Sequence, residues 1–196
     1  MLETLPKWGR LYTVEADITV KKIPVEQWTN IFHFTQNGNN GKYGDRIPAV
    51  WINKAGSFRI SSAVSGNKMF AKDCNFEVGK KYHLKIQQFR RDYKTIYEVL
   101  INGETCYSGE NTDPKDFENV KVYVSDPWYA PFTSEYGYLE NFKYSTPFEG
   151  KKNTENNGVH LVSAPNHTRP HPNAPNRTHL PGAFRSIISH ARVHFL

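Results

Sequence analysis

The sequence predicts an all-β protein in which two antiparallel sheets stack face to face. Short segments alternate apolar and polar residues, which is the period of a half-buried strand. Closely spaced Gly, Asn and Pro residues separate these segments, and no segment shows a helical repeat. About ten such strands have to close into a barrel or stack as two sheets, because unpaired sheet edges would otherwise associate.

The first half of the chain carries five predicted strands. They lie at 9–22, 28–36, 47–53, 57–64 and 68–71. The first alternates cleanly and leaves Glu15 and Asp17 on a solvent-facing side. The Asn- and Gly-rich residues 37–44 predict a loop, because these residue types tolerate positive φ.

The second half continues with hairpins. Its predicted strands lie at 79–89, 93–101 and 104–107, followed by two strands within 121–145. Asn102-Gly103 is a strong signal for a tight hairpin turn. Between the last two strands, Pro127 predicts a turn beside Trp128 and Tyr129, so this loop presents a broad aromatic surface.

The composition changes near Pro147, and we expect a β-sandwich over 1–146 and a disordered, low-complexity tail over 147–196. All four Trp and all eleven Tyr precede this point, whereas six of the eight His and six of the twelve Pro follow it. The last residues, 184–196, could instead form a short amphipathic helix. Asn166 and Asn176 each begin a glycosylation acceptor motif in the tail.

Charge and hydropathy exclude two classes of partner. Residues 1–146 carry 19 Lys and Arg against 17 Asp and Glu, so the predicted domain is close to neutral and shows no clustered basic patch for nucleic acid. No run of about 18 apolar residues exists that could span a membrane.

The chain opens without the apolar segment of a signal peptide. We therefore expect either a cytosolic protein or, in preference, a secreted one whose leader is missing from this chain.

The two cysteines favour an oxidising compartment. Cys74 and Cys106 flank the same pair of predicted strands, so a disulfide would close a loop of about 30 residues and stabilise the fold by about 3 kcal/mol. Two buried free thiols are the alternative.

The order of these motifs resembles the concanavalin A-like lectin and glucanase superfamily, whose members are jelly-roll sandwiches and include laminin-G-like domains. The residues that carry the resemblance are an Ile-Asn-Gly turn at 101–103 and a closing strand that begins Gly-Tyr-Leu-Glu-Asn-Phe at 137. The segments at 44–52 and 120–132 are similar to a module of extracellular animal proteins. The resemblance covers roughly 5–146 and implies an extracellular recognition module.

The superfamily also includes glycoside hydrolases, so catalysis has to be tested. Their active strand presents Glu-x-Asp-x-(x)-Glu on one face, which supplies the nucleophile and the acid/base of retaining hydrolysis. This chain has Glu15 and Asp17, but Thr19 stands where the third carboxylate is needed. We expect a non-catalytic protein whose Glu15 and Asp17 belong to a solvated strand face.

Calcium is the cofactor that the resemblance implies, because concanavalin-like domains often hold Ca²⁺ in loops at the sandwich rim. Asp45 and Asp126 are the candidate ligands, and Asn39 or Asn40 could add an amide oxygen. Each loop offers only a single carboxylate, which argues against the site.

Aromatic residues in loops indicate a ligand-binding surface. Flat rings stack on the apolar faces of sugars, and neighbouring polar groups bind the hydroxyls. The candidate ligand-binding residues are Tyr43, Asp45, Arg46, Asp126, Trp128 and Tyr129. We expect the partner to be a glycan or, alternatively, an extracellular matrix protein.

Purely structural roles compete with this interpretation. Trp128 could close the end of the sandwich, and Asp45 could pair with Arg46 to fix a loop. We assign Trp28 and Trp51, which lie in strands, to the core.

Overall fold

The fold is a two-sheet β-sandwich, as the sequence predicts. The computed structural model describes residues 1–24, 28–147 and 186–191, and within them all regular structure is strand. These residues include no helix long and apolar enough to cross a membrane.

Sheet I contains seven strands. In spatial order they are β1 (Glu3–Trp8), β10 (Phe117–Val124), β3 (Thr29–Thr35), β4 (Ala49–Ile52), β5 (Ser57–Val64) and β6 (Asn67–Asn75), with the short β11 (Ala130–Pro131) beside β3. The β11–β3 pair is parallel, and the other pairs are antiparallel.

Sheet II contains six antiparallel strands. Their order is β13 (Ser186–Ala191), β12 (Gly137–Pro147), β2 (Tyr12–Val20), β7 (Lys81–Arg91), β8 (Lys94–Ile101) and β9 (Glu104–Glu110). Every second residue of β2 is buried, because one face of this strand packs against sheet I.

Aromatic side chains fill the space between the sheets. Phe32 and Phe34 of β3 meet Phe142 and Tyr144 of β12, with ring centroids 5.0 Å apart for Phe32–Phe142 and 5.1 Å for Phe34–Tyr144. Trp8 packs against Phe34 from β1 with a centroid distance of 4.9 Å. This interior fixes which face of β3 points inward, and it therefore fixes the residues that point outward.

A disulfide joins the open edges of the two sheets. The Sγ atoms of Cys74 on β6 and Cys106 on β9 are 1.98 Å apart. β6 is the last strand of sheet I and β9 is the last strand of sheet II, so the bond ties the sheets together at one side of the sandwich.

Three strands were not predicted from the sequence. β1 lies outside the predicted segments, β11 lies in the loop predicted between the last two strands, and β13 lies within the predicted tail, where it pairs with β12 from Phe142 to Pro147. The alternative of a helix over 184–196 is therefore wrong for 186–191. Asn166 and Asn176 lie outside the described residues.

Candidate functional site

The candidate site begins on the outer face of β3, which two loops cover. All seven side chains of this strand are buried, and Ile31, Phe32 and Phe34 belong to the sandwich core. His33 points away from the core and is completely buried. Its neighbours come from the loop at 36–46 and from the loop at 125–129.

His33 bridges the two loops. Its Nδ1 lies 2.7 Å from Asp126 Oδ2, and its Nε2 lies 2.5 Å from the carbonyl oxygen of Asp45. A carbonyl and a carboxylate are both acceptors, so the geometry is satisfied by an imidazolium beside a carboxylate, or by a neutral imidazole beside a protonated Asp126. In either form the two loops are held to the strand by a charge-assisted or strong hydrogen bond.

Asp126 fixes the loop that carries the exposed aromatic residues. Its Oδ1 accepts hydrogen bonds from the backbone N–H groups of Trp128 and Tyr129, both at 3.0 Å. Its own backbone N–H donates to Asn30 Oδ1 at 2.9 Å. The Asp-Pro turn is thus anchored to the buried strand as well as to itself.

Trp128 is a large aromatic ring held at the surface. It remains 43% exposed, while its edge packs on His33 at 5.5 Å and on Tyr123 at 5.4 Å between centroids. A Cβ added at Gly38 would lie 3.6 Å from the Trp128 ring, and this glycine has a φ of +122°. Since the ring contacts the protein on several sides, little side-chain entropy remains to be lost when a ligand stacks on it.

Arg46 and Trp51 lie on the other side of His33. Trp51 of β4 is 1% exposed and contacts His33 at 5.5 Å and Tyr129 at 5.6 Å. The Arg46 guanidinium carbon lies 4.8 Å from the centre of the Trp51 ring, which is cation–π geometry. Arg46 Nε donates to Asn39 Oδ1 at 3.1 Å.

Arg59 and Trp28 extend this surface toward β6. Arg59 pairs with Trp51 across the β4–β5 ladder, and its guanidinium carbon lies 5.4 Å from the Trp28 ring centre. Arg59 Nη1 donates to Asp73 Oδ2 at 2.9 Å, in an ion pair that is partly exposed on both sides. We call the whole set the sheet I row. It comprises Trp28, Arg59, Trp51, Arg46, Tyr129 and Trp128.

The electrostatic environment of Arg46 is unfavourable for its charge. Burial lowers the pKa of the Arg46 guanidinium, and the positive charge of Arg59 lowers it further. Tyr129, Asp45 and Asp126 act in the opposite direction but do not reverse the net lowering. The arginine stays protonated at neutral pH, and its charge is only partly compensated by the protein.

Five of the six predicted ligand-binding residues lie around His33, and Tyr43 does not. The ring of Tyr43 stacks on Phe117 at 6.0 Å, with Lys115 Nζ 4.2 Å from its centre. Asp45 is completely buried, and its Oδ2 accepts hydrogen bonds from the backbone of Asn40 and Lys42. Asp45 therefore shapes its loop through backbone contacts and makes no ion pair with Arg46 within the described residues.

The two candidate calcium ligands, Asp45 and Asp126, use most of their oxygens in hydrogen bonds within the protein. Both side-chain oxygens of Asp126 and one of Asp45 are already hydrogen-bonded, and Asn39 Oδ1 accepts a hydrogen bond from Arg46. Asp45 Oδ1 is the one carboxylate oxygen of this pair that has no partner in the described part of the chain. Calcium takes six to eight oxygen ligands. Across residues 1–24 and 28–147, no group of three or more His, Cys, Asp or Glu side chains could hold a metal ion.

Sequence reasoning missed His33, Arg59 and the role of two tryptophans. The prediction that Trp28 belongs to the core is wrong, because Trp28 is only half-buried. Trp51 is buried, as predicted, but it lies outside the main core cluster, on the outer face of sheet I. The alternation of β3 and β4 does place His33 and Trp51 opposite Phe32 and Val50. The alternation does not predict that distant loops cover this face.

The predicted acidic pair lies on the other sheet. Glu15 Oε2 lies 2.7 Å from Lys143 Nζ, and Asp17 Oδ1 lies 2.7 Å from His83 Nδ1. Asp17 Oδ2 accepts a further hydrogen bond from Asn141 at 2.6 Å. Both carboxylates are thus engaged with cationic or amide partners on the outer face of sheet II.

Neither a search of protein-family models nor a search of curated proteins finds a match to this chain. Among solved structures, the chain is similar to a native heptameric SAP-like pentraxin from Limulus polyphemus, with a TM-score of 0.48 and 17% sequence identity. The match covers 73% of this chain and 66% of that chain. A candidate carbohydrate-binding protein from Bacteroides ovatus matches with a TM-score of 0.46 and 12% identity, over 74% of this chain and 38% of that one.

A sialidase from Trypanosoma rangeli is also similar, with a TM-score of 0.40 and 17% identity. That match covers 60% of this chain and 17% of the sialidase. The chain thus spans less than two thirds of each of these three structures. Because the three identities are low and the three TM-scores are below 0.5, these similarities carry no argument about the function of this chain.

Proposed function

We propose that this protein is a carbohydrate-binding module whose ligand lies along the sheet I row. The observation that carries the proposal is the 43% exposed Trp128 ring, held in place by buried contacts to Asp126 and His33. A large apolar ring at the surface is costly to leave in water, and here a buried polar network is used to keep it there.

The chemistry of the row suits a sugar. Trp128 and the half-exposed Tyr129 offer flat apolar faces for C–H groups of a pyranose ring. Arg46 and Asn39 offer donors and acceptors beside them for hydroxyl groups. The row crosses several strands whose spacing is about 4.8 Å, so it can contact an extended chain of sugar units.

We propose further that the module is non-catalytic. This proposal is supported by the ion pairs of Glu15 and Asp17, whose partners Lys143 and His83 occupy the face on which a hydrolase would need free carboxylates. Thr19 occupies the third position of that strand.

An extracellular location is also proposed. The disulfide between Cys74 and Cys106 supports it, because such bonds persist mainly in oxidising compartments.

A protein partner is the second candidate function. Trp, Tyr and Arg dominate the energetics of protein–protein interfaces, and the sheet I row is composed of these three residue types. Substitutions in the sheet I row would weaken the binding of a matrix protein as well as the binding of a glycan. The identity of the partner therefore has to be tested directly.

The test is a glycan-array screen of the full chain, carried out with calcium and again with a chelator. We expect binding to defined glycans in both conditions, since the candidate calcium ligands are already hydrogen-bonded. Trp128→Ala should weaken the binding of each identified glycan by about tenfold or more. The matched control is Tyr93→Ala, which removes a 99% exposed aromatic ring at the β7–β8 turn of sheet II.

Three outcomes distinguish the proposals. Loss of binding in Trp128→Ala but not in Tyr93→Ala supports the sheet I row, provided that circular dichroism shows both variants folded. Binding that disappears with chelator would place calcium in the site and contradict the expectation that the hydrogen-bonded Asp45 and Asp126 hold no calcium. An array without any bound glycan would overturn carbohydrate binding and favour the protein-partner function.

A further inference from the structure

Arg46 has hydrogen-bonding capacity that the protein does not use. Among the described residues its one hydrogen bond is from Nε to Asn39, and it makes no ion pair within 4.0 Å. The two Nη groups are therefore the donors left for an external acceptor. A guanidinium that is half-buried over Trp51 is already partly desolvated, so an acceptor bound there competes with less water.

Arg59 is a second guanidinium whose positive charge acts on Arg46, and it lies over the ring of Trp28. It is the cross-strand partner of Trp51, and its charge acts on Arg46 strongly enough to lower the Arg46 pKa, although burial is the larger cause. Two like charges that act on each other in this way are each less favourable than either would be alone. An anion bound at both would relieve that repulsion and offset the burial of Arg46.

The nearby carboxylates do not fully compensate this charge. Asp126 is paired with His33, and Asp45 directs Oδ2 into its own loop. Asp73 does bind Arg59, but both side chains are 36% or more exposed. Exposed pairs of this kind contribute about 0–1 kcal/mol, so a ligand can compete with Asp73 for Arg59.

We infer that Arg46 and Arg59 bind an anionic group, the carboxylate or sulfate of an acidic glycan, whose sugar rings lie on the neighbouring aromatic residues of the sheet I row. This inference rests on the proposed carbohydrate-binding function and specifies its substrate class. A guanidinium presents paired N–H donors that match the oxygens of either group. Trp28 and Trp128 lie at the two ends of the row, so the ligand can extend in both directions from the charge.

The experiment measures the binding of three hexasaccharide probes to the full chain by calorimetry. Hexagalacturonate carries carboxylates, a κ-carrageenan hexasaccharide carries sulfates without carboxylates, and cellohexaose is neutral. We expect at least one acidic probe to bind and cellohexaose to bind at least tenfold more weakly. Because charge drives this preference, raising the salt concentration should reduce the affinity for the acidic probe.

Variants locate the anion. Arg46→Gln and Arg59→Gln should each lower the affinity for the acidic probe by about 10- to 100-fold, which is the effect of losing hydrogen bonds to a charged group. Asp73→Asn should raise this affinity, because it removes the carboxylate that competes for Arg59. Arg91→Gln is the matched control, since Arg91 also lies over an aromatic ring, 5.1 Å from the centre of Phe89, but on β7 of sheet II.

The outcomes separate this inference from the function on which it rests. Neutral glycans bound on the array, with no acidic probe bound, would overturn the inference and leave carbohydrate binding intact. Acidic binding that Arg91→Gln weakens as much as Arg46→Gln does would also overturn it. A protein that binds neither the probes nor any glycan of the array contradicts the proposed function itself. Carboxylate and sulfate are distinguished by which acidic probe binds.

Discussion

Asp126 is the residue on which the candidate site depends most. Its side chain is hydrogen-bonded to His33 and accepts hydrogen bonds from the backbone N–H groups of Trp128 and Tyr129, and its own backbone N–H donates to Asn30. Its side chain is fully buried. Removing one partner of a buried pair leaves the other without compensation, which costs more than the pair contributes.

We therefore expect Asp126→Ala to lower the free energy of unfolding by about 3–5 kcal/mol. Urea denaturation monitored by tryptophan fluorescence measures it. Asp113→Ala is the control, because Asp113 forms an exposed pair with Lys115 and its loss should change stability by less than about 1 kcal/mol. Equal effects of the two variants would contradict the role given to Asp126.

The sequence predicted one half of this arrangement and not the other. Asp126 lies immediately before Pro127, and an Asp that caps its own turn is a local signal, so the loop with Trp128 and Tyr129 could be identified. His33 lies 93 positions away from Asp126. Their contact depends on the packing of β10 beside β3, which no local pattern reports.

At the scale of strands, the disulfide between β6 and β9 compensates for a weak boundary of the sandwich. β6 and β9 are edge strands, and most of their residues are exposed. Few buried apolar contacts hold them, so a covalent link between Cys74 and Cys106 limits the separation of the two sheets at this side. The 32-residue separation sets the length of the loop that it closes in the unfolded chain.

We expect reduction to lower the free energy of unfolding by about 2–4 kcal/mol. Urea denaturation with and without dithiothreitol measures this. The double variant Cys74→Ala/Cys106→Ala should match the reduced wild type and should be insensitive to the reductant. A wild type whose urea midpoint is unchanged by reductant would show that the bond does not stabilise this edge.

Strands were predictable where burial alternates, and less so where it does not. β2 and β12 each pack one face on the core, so their side chains repeat with a period of two. β1 contains Pro6, β11 has two residues, and β13 lies in the tail that was predicted to be disordered. Their pairing depends on neighbours far away in the sequence, such as β10 for β1, rather than on their own composition.

On the scale of the whole sandwich, the two outer faces have different physical character. The outer face of sheet I is covered by loops and carries aromatic residues, His33 and arginines. The outer face of sheet II is covered by paired charges, among them Glu15 with Lys143 and Asp17 with His83. The first face is the one proposed to bind a ligand, and the charges of the second make the stability of the fold depend on pH.

The direction of that pH dependence follows from three carboxylates. Burial alone would raise the pKa of Glu15, but Lys143 and Lys85 outweigh it and lower the pKa below the ordinary value of 4.5. The pKa values of Asp17 and Asp116 are also lowered, from 3.8, because hydrogen bonds and positive charges outweigh burial. A pKa that is lower in the folded than in the unfolded state stabilises the protein above the unfolded value.

The protein should therefore be less stable at pH 3 than at pH 6, as protons bind first to the unfolded chain and then, at still lower pH, to the folded carboxylates. Urea midpoints measured at both pH values test this expectation.

Glu15→Gln should be less stable than the wild type at pH 6, and the difference should shrink at pH 3, where the wild-type carboxylate is being neutralised. Glu118→Gln is the control, because Glu118 is exposed and forms no ion pair within the described residues. A wild type that is equally stable at both pH values, or a Glu15→Gln difference that stays constant with pH, would show that the charges on sheet II do not stabilise the fold.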